Sequence, residues 1–137
     1  MANGFPYPSK SDLEKIITTD DGTELLVTCA EKIGEALADR NASLSTNQIR
    51  AIFGEVRRIE GDWKIDKVRA NQSLILLKPK MAYRAKKEET KYNKSVGHLT
   101  TVLEDAINLI NAEDKNFTRF VNFFEAILAY HKKYGGK

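Results

Sequence analysis

From Leu13 to Tyr134 the apolar residues recur at intervals of three and four, and no stretch alternates apolar with polar residues cleanly enough to make a strand. That spacing gathers them on one face of a helix turning about 100° per residue, so the expected fold is all-α, a compact bundle of five to six helices. A chain of 137 residues buries roughly two-thirds of its unfolded surface and needs no disulfide or metal to hold it. One helical domain is expected over residues 11–137, with residues 1–10 as a flexible leader.

Cap and turn residues divide the pattern. Ser11 is expected to cap a short helix that starts at Asp12, carries Leu13, Ile16 and Ile17, and breaks at "TTDDGT". A second helix runs from about Thr23 to Arg40, with Glu24, Glu31 and Glu35 opposite its apolar face. The third opens at "STNQIRAIF", where Ser45 and Gln48 have capping-box spacing, and Gly61-Asp62 ends it. From about Lys64 a fourth carries Ile65, Val68, Ile75 and Leu76 on one side, while Leu74 and Leu77 make its last turn apolar all round. Such a turn implies deep burial.

Lys78 precedes a proline and is pushed away from helical geometry, whereas Pro79 suits the first position of a new helix. A break or sharp turn is expected there. A short helix then carries Met81, Ala82, Tyr83 and Ala85 beside Lys80, Arg84, Lys86 and Lys87, and residues 88–94 read as an exposed loop. Val96 to Ile110 gives a fifth long helix, and Phe117 to Tyr134 the last, closed by Gly135-Gly136. Apolar side chains cover about half the circumference of that last helix. Either it sits centrally in the bundle or part of it meets another chain.

Catalytic constellations are missing. The two histidines, His98 and His131, are far apart in sequence; His131 falls in the apolar stripe and His98 in a polar context, so a packed residue and a surface residue are expected. Glu31 and Glu35 share a face but lack the Glu-x-x-His partner of a di-iron bundle. There is no glycine-rich phosphate loop, and Cys29 reads as a small apolar residue. No enzyme, cofactor or metal is expected. A lone cysteine, no apolar leader and apolar runs of only about five residues against the roughly twenty of a membrane span suggest a cytoplasmic protein.

Charge is the informative remainder. Residues 1–49 hold 4 basic and 8 acidic side chains, a net of −4, whereas residues 50–94 hold 13 and 6, a net of +7. A basic region of this kind suits a polyanion, since cations bound to phosphates release condensed counterions; lysines solvating a helix face explain the same pattern. The cluster includes Arg50, Arg57, Lys78, Lys80, Arg84, Lys86 and Lys87, with Tyr83 among them. A helix-turn-helix reader is disfavoured, because its second helix would start with Pro-Lys-Met rather than a base-reading face.

Three stretches together resemble a known family. Thr46, Gln48, Ile49 and Arg50 in "LSTNQIRAIFGEVRRI", then Leu76, Leu77, Lys78, Pro79, Ala82 and Tyr83 in "LILLKPKMAYRAKK", and Phe120, Val121, Phe123, Phe124, Glu125, Ala126, Ile127, Ala129 and Tyr130 in "FTRFVNFFEAILAYHKKYGGK" are similar to the small subunit of the type III-A CRISPR effector, the Csm complex. The likeness runs from Leu44 to the C-terminus, with residues 1–43 matching only as generic helix. Where the family often has a glycine after Ala-Tyr, this chain has Arg84-Ala85-Lys86-Lys87, which favours a longer helix.

The resemblance implies an all-helical, non-catalytic subunit of an antiviral ribonucleoprotein. Copies of it stack along the guide-RNA filament beside the backbone and large subunits, and contact guide and target RNA without sequence specificity. By position Arg50, Lys78, Lys80 and Arg84 would face the nucleic acid. A homodimer of the isolated chain, with or without exchanged helices, stays open. The rival is a protein-protein adaptor that uses the aromatic last helix and touches no nucleic acid.

Overall fold

The computed structural model describes residues 4–39, 46–88 and 95–136, and within them the chain forms six α-helices and no strand. The first, α1 (Lys10–Thr18), starts two residues before the expected Asp12. Its cap is Ser9, whose Oγ accepts the Asp12 N–H at 3.0 Å and leaves Asp12 in the first turn, where its charge complements the helix dipole.

A 3₁₀ turn, Asp20–Gly22, leads to α2 (Thr23–Ala38). Gly22 is required here: a Cβ would lie 2.3 Å from the Lys15 carbonyl oxygen, too close for any side chain. Arg119 of the last helix fastens this corner, donating to the Ile17 carbonyl at 3.2 Å and pairing with Asp20. The guanidinium's hydrogen bond and charge hold the Asp20 carboxyl below its usual range.

The helix α3 (Thr46–Trp63) passes through Gly61-Asp62, where sequence expects it to stop. Trp63 explains the extension. Its ring is buried and stacks on Phe117 at 4.2 Å, and its indole N–H donates to Asp114 at 2.9 Å. A glycine costs a helix about 1 kcal/mol, less than a large aromatic contributes when buried. The expected Ser45 cap lies outside the described residues, as does Arg40, the expected end of α2; of the loop expected over 88–94, Glu88 is the last residue of a helix and the rest lies outside the described residues.

The largest correction concerns α4 (Lys67–Glu88), which continues through Pro79 without a break. Its buried stripe is Ala70, Leu74, Leu77 and Met81, spaced i, i+4, i+7 and i+11 on one face. Leaving the helix at Pro79 would take Leu77 and Met81 from the core at about 1.5–3 kcal/mol each, which offsets the roughly 3 kcal/mol an internal proline costs. The expected apolar face is outside instead: Ile65 is 86% exposed, Val68 72%, Leu76 58% and Ile75 49%.

α5 (Ser95–Ile107) is shorter than expected, and buried Ile110 belongs to the turn that follows. In that turn Asn111 and Ala112 have φ of 52° and 59°. The buried Asn116 amide donates to the Ile110 carbonyl at 3.1 Å and so satisfies it.

The last helix, α6 (Asp114–Lys133), is the centre of the bundle. Phe117, Phe120, Val121, Phe123, Phe124, Ile127 and His131 are all buried within the chain, so most of the wide aromatic arc is core, whereas Leu128 and Tyr130 are half-buried and Tyr134 is exposed. The core thus takes up most of the face that an adaptor would use on this helix. α6 packs most extensively on α2, where Gly34 lets the backbones touch: a Cβ there would sit 2.7 Å from the His131 backbone nitrogen. Gly135, at φ 93°, closes the helix with Gly136 N–H bonded to the His131 carbonyl at 2.8 Å and Gly135 N–H to the Lys132 carbonyl at 3.1 Å.

Candidate nucleic-acid interface

Because α4 is continuous, its side chains keep a single register from Lys67 to Glu88. At about 100° per residue, Lys80, Arg84 and Lys87 fall in one row, three and four residues apart. This row borders α3. Together with Ala51, Ile52 and Glu55 of α3, and with Leu77, Pro79, Met81 and Tyr83 of α4, it lines a groove of about 570 Å³.

The groove is apolar below and cationic along one edge. Ile52, Leu77 and Met81 form its buried floor, while Lys80 and Lys87 are exposed and Arg84 is half-buried. Tyr83 stands 70% exposed at the rim. On the opposite wall Glu55 accepts from Arg58 at 2.9 Å. Arg58 also approaches Asp62 at 3.5 Å, so the Glu55 side of the groove is already neutralised from within α3.

The other expected residues lie elsewhere. Lys78 is on the α5 side of α4, where its ammonium donates to Asn108 Oδ1 at 2.7 Å. Lys86 points to the exposed outer face. Arg50 and Arg57, seven residues apart, share a flank of α3 that is roughly 140° round from Glu55. Arg57 is engaged there, paired with Glu60 at 2.8 Å and lying 5.4 Å from the Phe53 ring centroid. Arg50 is exposed and forms no ion pair among the described residues.

A second basic tie is structural. Lys67 pairs with Asp114 at 2.9 Å and lies 5.8 Å from the Trp63 ring, binding the start of α4 to the start of α6. Its hydrogen bond, followed by that of Trp63, holds the Asp114 carboxyl below its ordinary range. Among the described residues no three His, Cys, Asp or Glu side chains converge to hold a metal ion. Cys29 is half-buried, and burial pushes its thiol up. His98, expected at the surface, is half-buried and clamped: Phe5 stacks on it at 4.7 Å, and the Tyr7 hydroxyl lies 2.5 Å from Nδ1. No described helix is long and apolar enough to cross a membrane.

Sequence reading missed Glu55 and the groove floor, and it assigned Val68, Ile75 and Leu76 to the core. The available signal was the i, i+4, i+7 spacing of Lys80, Arg84 and Lys87, legible only if the helix passes Pro79.

No curated protein and no solved structure matches the chain. One family model does, that described as Csm2 Type III-A, over residues 20–137, which takes the likeness 24 residues further toward the N-terminus than the motifs carried it and brings in all of α2. The chain belongs to the Csm2 Type III-A family, the small subunits of the type III-A CRISPR effector.

Proposed function

We propose that the chain stacks beside the guide-RNA filament of a cytoplasmic Csm complex and supports guide and target RNA through the basic α3–α4 face, without catalysis and without reading sequence. The observation that carries this reading is the row Lys80, Arg84 and Lys87 along one edge of the α3–α4 groove. Phosphates bind such a row because each contact releases condensed counterions, whatever base follows. Arg50 and Arg57 add a separate basic edge on the far flank of α3, and Lys78 and Lys86 lie on other sides of α4. In this reading they meet neighbouring stretches of the same nucleic acid.

The test is a salt titration of binding to a single-stranded RNA of mixed sequence. Three groove contacts contribute a slope of about −2 in log affinity against log salt, from about −0.7 per phosphate. Changing Lys80, Arg84 and Lys87 together to Glu should lower affinity at least about tenfold at low salt and flatten the slope by about that amount. An unchanged slope in a folded variant would move the phosphate contacts off the groove.

A protein-contact role stands beside this one and has its own observation. Val68, Ile75 and Leu76 are exposed on α4, on the side opposite its buried stripe. In a complex subunit such a face is covered by another subunit. Val68 and Ile75 lie away from the groove, whereas Leu76 shares a row with Lys80, Tyr83 and Lys87 at i, i+4, i+7 and i+11, so the contact face assigned here is that of Val68 and Ile75.

A further inference from the structure

Phosphate neutralisation requires a strip of cations and nothing more. The α3–α4 groove has, in addition, an apolar floor, an exposed aromatic ring and a volume of about 570 Å³. An extended sugar-phosphate backbone gains nothing from the exposed Pro79 and Tyr83 rings that line the groove, whereas a base can lie against them; Ile52, Leu77 and Met81 are 2–3% exposed and close the groove from below. Among the described residues Tyr83 makes no ring contact and its hydroxyl finds no hydrogen-bond partner, whereas Tyr7 reaches His98 and Tyr134 reaches Glu31.

We propose that this groove takes one unstacked base of single-stranded RNA, its ring against Tyr83 and over the apolar floor, with the flanking phosphates on Lys80, Arg84 and Lys87. The inference rests on the reading that the basic face binds RNA and adds to it a pocket for a base. Charge decides the occupant and its orientation. The cationic edge attracts a polyanion rather than a neutral or basic peptide, while the α3 wall, where Glu55 is already paired with Arg58, offers phosphates no free cation and is left to the base. Stacking on an aromatic is tolerant of base identity, because every base presents a π-face, so the pocket is compatible with binding that reads no sequence.

The experiment uses the full chain with two RNA probes of equal length: an oligouridine, and the same sugar-phosphate backbone with abasic positions. Tyr83→Ala should weaken oligouridine binding about 5- to 100-fold and leave the salt slope unchanged, while Tyr83→Phe should bind as wild type. The abasic strand should bind wild type and Tyr83→Ala alike. A strand carrying a single 2-aminopurine should be quenched on binding wild type and not on binding Tyr83→Ala. Tyr83 is exposed, so neither variant threatens the fold, and far-ultraviolet circular dichroism verifies this.

If Tyr83→Ala binds oligouridine like wild type, or loses affinity equally for both probes, the base pocket is wrong. In either case the RNA reading survives, provided that Lys80→Glu, Arg84→Glu and Lys87→Glu together still weaken binding. If that charge reversal is also silent, or wild type binds neither probe, both readings fall. Uptake of an acidic peptide but not oligouridine would also overturn the proposal and assign the groove to a protein.

Discussion

At the scale of single residues, the most constrained position is Gly34. Helix propensity alone favours alanine there by about 1 kcal/mol. Its added methyl, however, would lie 2.7 Å from the His131 backbone nitrogen and 2.9 Å from the Ile127 carbonyl oxygen, atoms of α6 that cannot move without shifting the central helix. Overpacking of this kind costs about 1–3 kcal/mol, so Gly34→Ala should lower the urea midpoint rather than raise it. Tyr134 gives a pH signature at the same helix end. Its hydroxyl donates to Glu31 at 2.5 Å, and that bond, followed by burial and the Glu31 charge, pushes the phenol up to about 12. The folded value exceeds the unfolded one of about 10, so the contact stabilises fully below pH 10 and is lost as pH rises toward 12. Ultraviolet titration should show one tyrosine ionising near 12 in the folded chain. Glu31→Ala should bring it back toward the others.

At the scale of elements, α4 shows where sequence reading reaches and where it stops. Its two apolar faces are both plain in the spacing: Ala70, Leu74, Leu77 and Met81 on one, and Val68, Ile75, Leu76 and Pro79 on the other. Local pattern cannot say which one the bundle covers. The β-branched face looks as apolar as the other, yet the one with Ala70 is buried, consistent with a close approach of neighbouring helices. Pro79 was misjudged for the same reason. Its local cost is visible in sequence, whereas the burial of Leu77 and Met81 on either side of it depends on partners tens of residues away. The carbonyl of Ile75 loses its intrahelical donor to Pro79 and lies on an exposed stretch where water can serve it. Pro79→Ala restores the donor and removes the ring's clash with that carbonyl. It should raise stability by about 1–2 kcal/mol in urea unfolding, after allowing for the greater freedom it gives the unfolded chain. A lower urea midpoint would mean that the proline sets a bend the packing needs.

At the scale of the whole molecule, the helices were legible because apolar periodicity is local, and the basic region was legible because charge is counted along the chain. Their juxtaposition was not. Only the continuity of α4 gathers Lys80, Arg84 and Lys87 over one groove, and only the central position of α6 draws most of its aromatic arc into the core. Among the exposed apolar side chains of the described residues are Val68 and Ile75 on the outer face of α4, about 10 Å apart along the axis at 1.5 Å per residue. For a free monomer this face is a liability, and for a subunit of a complex it is a contact. Changing Val68 and Ile75 together to Gln introduces a good helix former, adds no charge and touches neither a core residue nor the groove. The isolated chain should therefore keep its unfolding free energy within about 0.5 kcal/mol per site and bind RNA as before. Co-expressed with the other Csm subunits, it should fail to co-purify with them even though its groove is intact. Normal assembly of that variant would show that the complex holds this subunit by its RNA and by other surfaces, leaving the outer face of α4 to solvent.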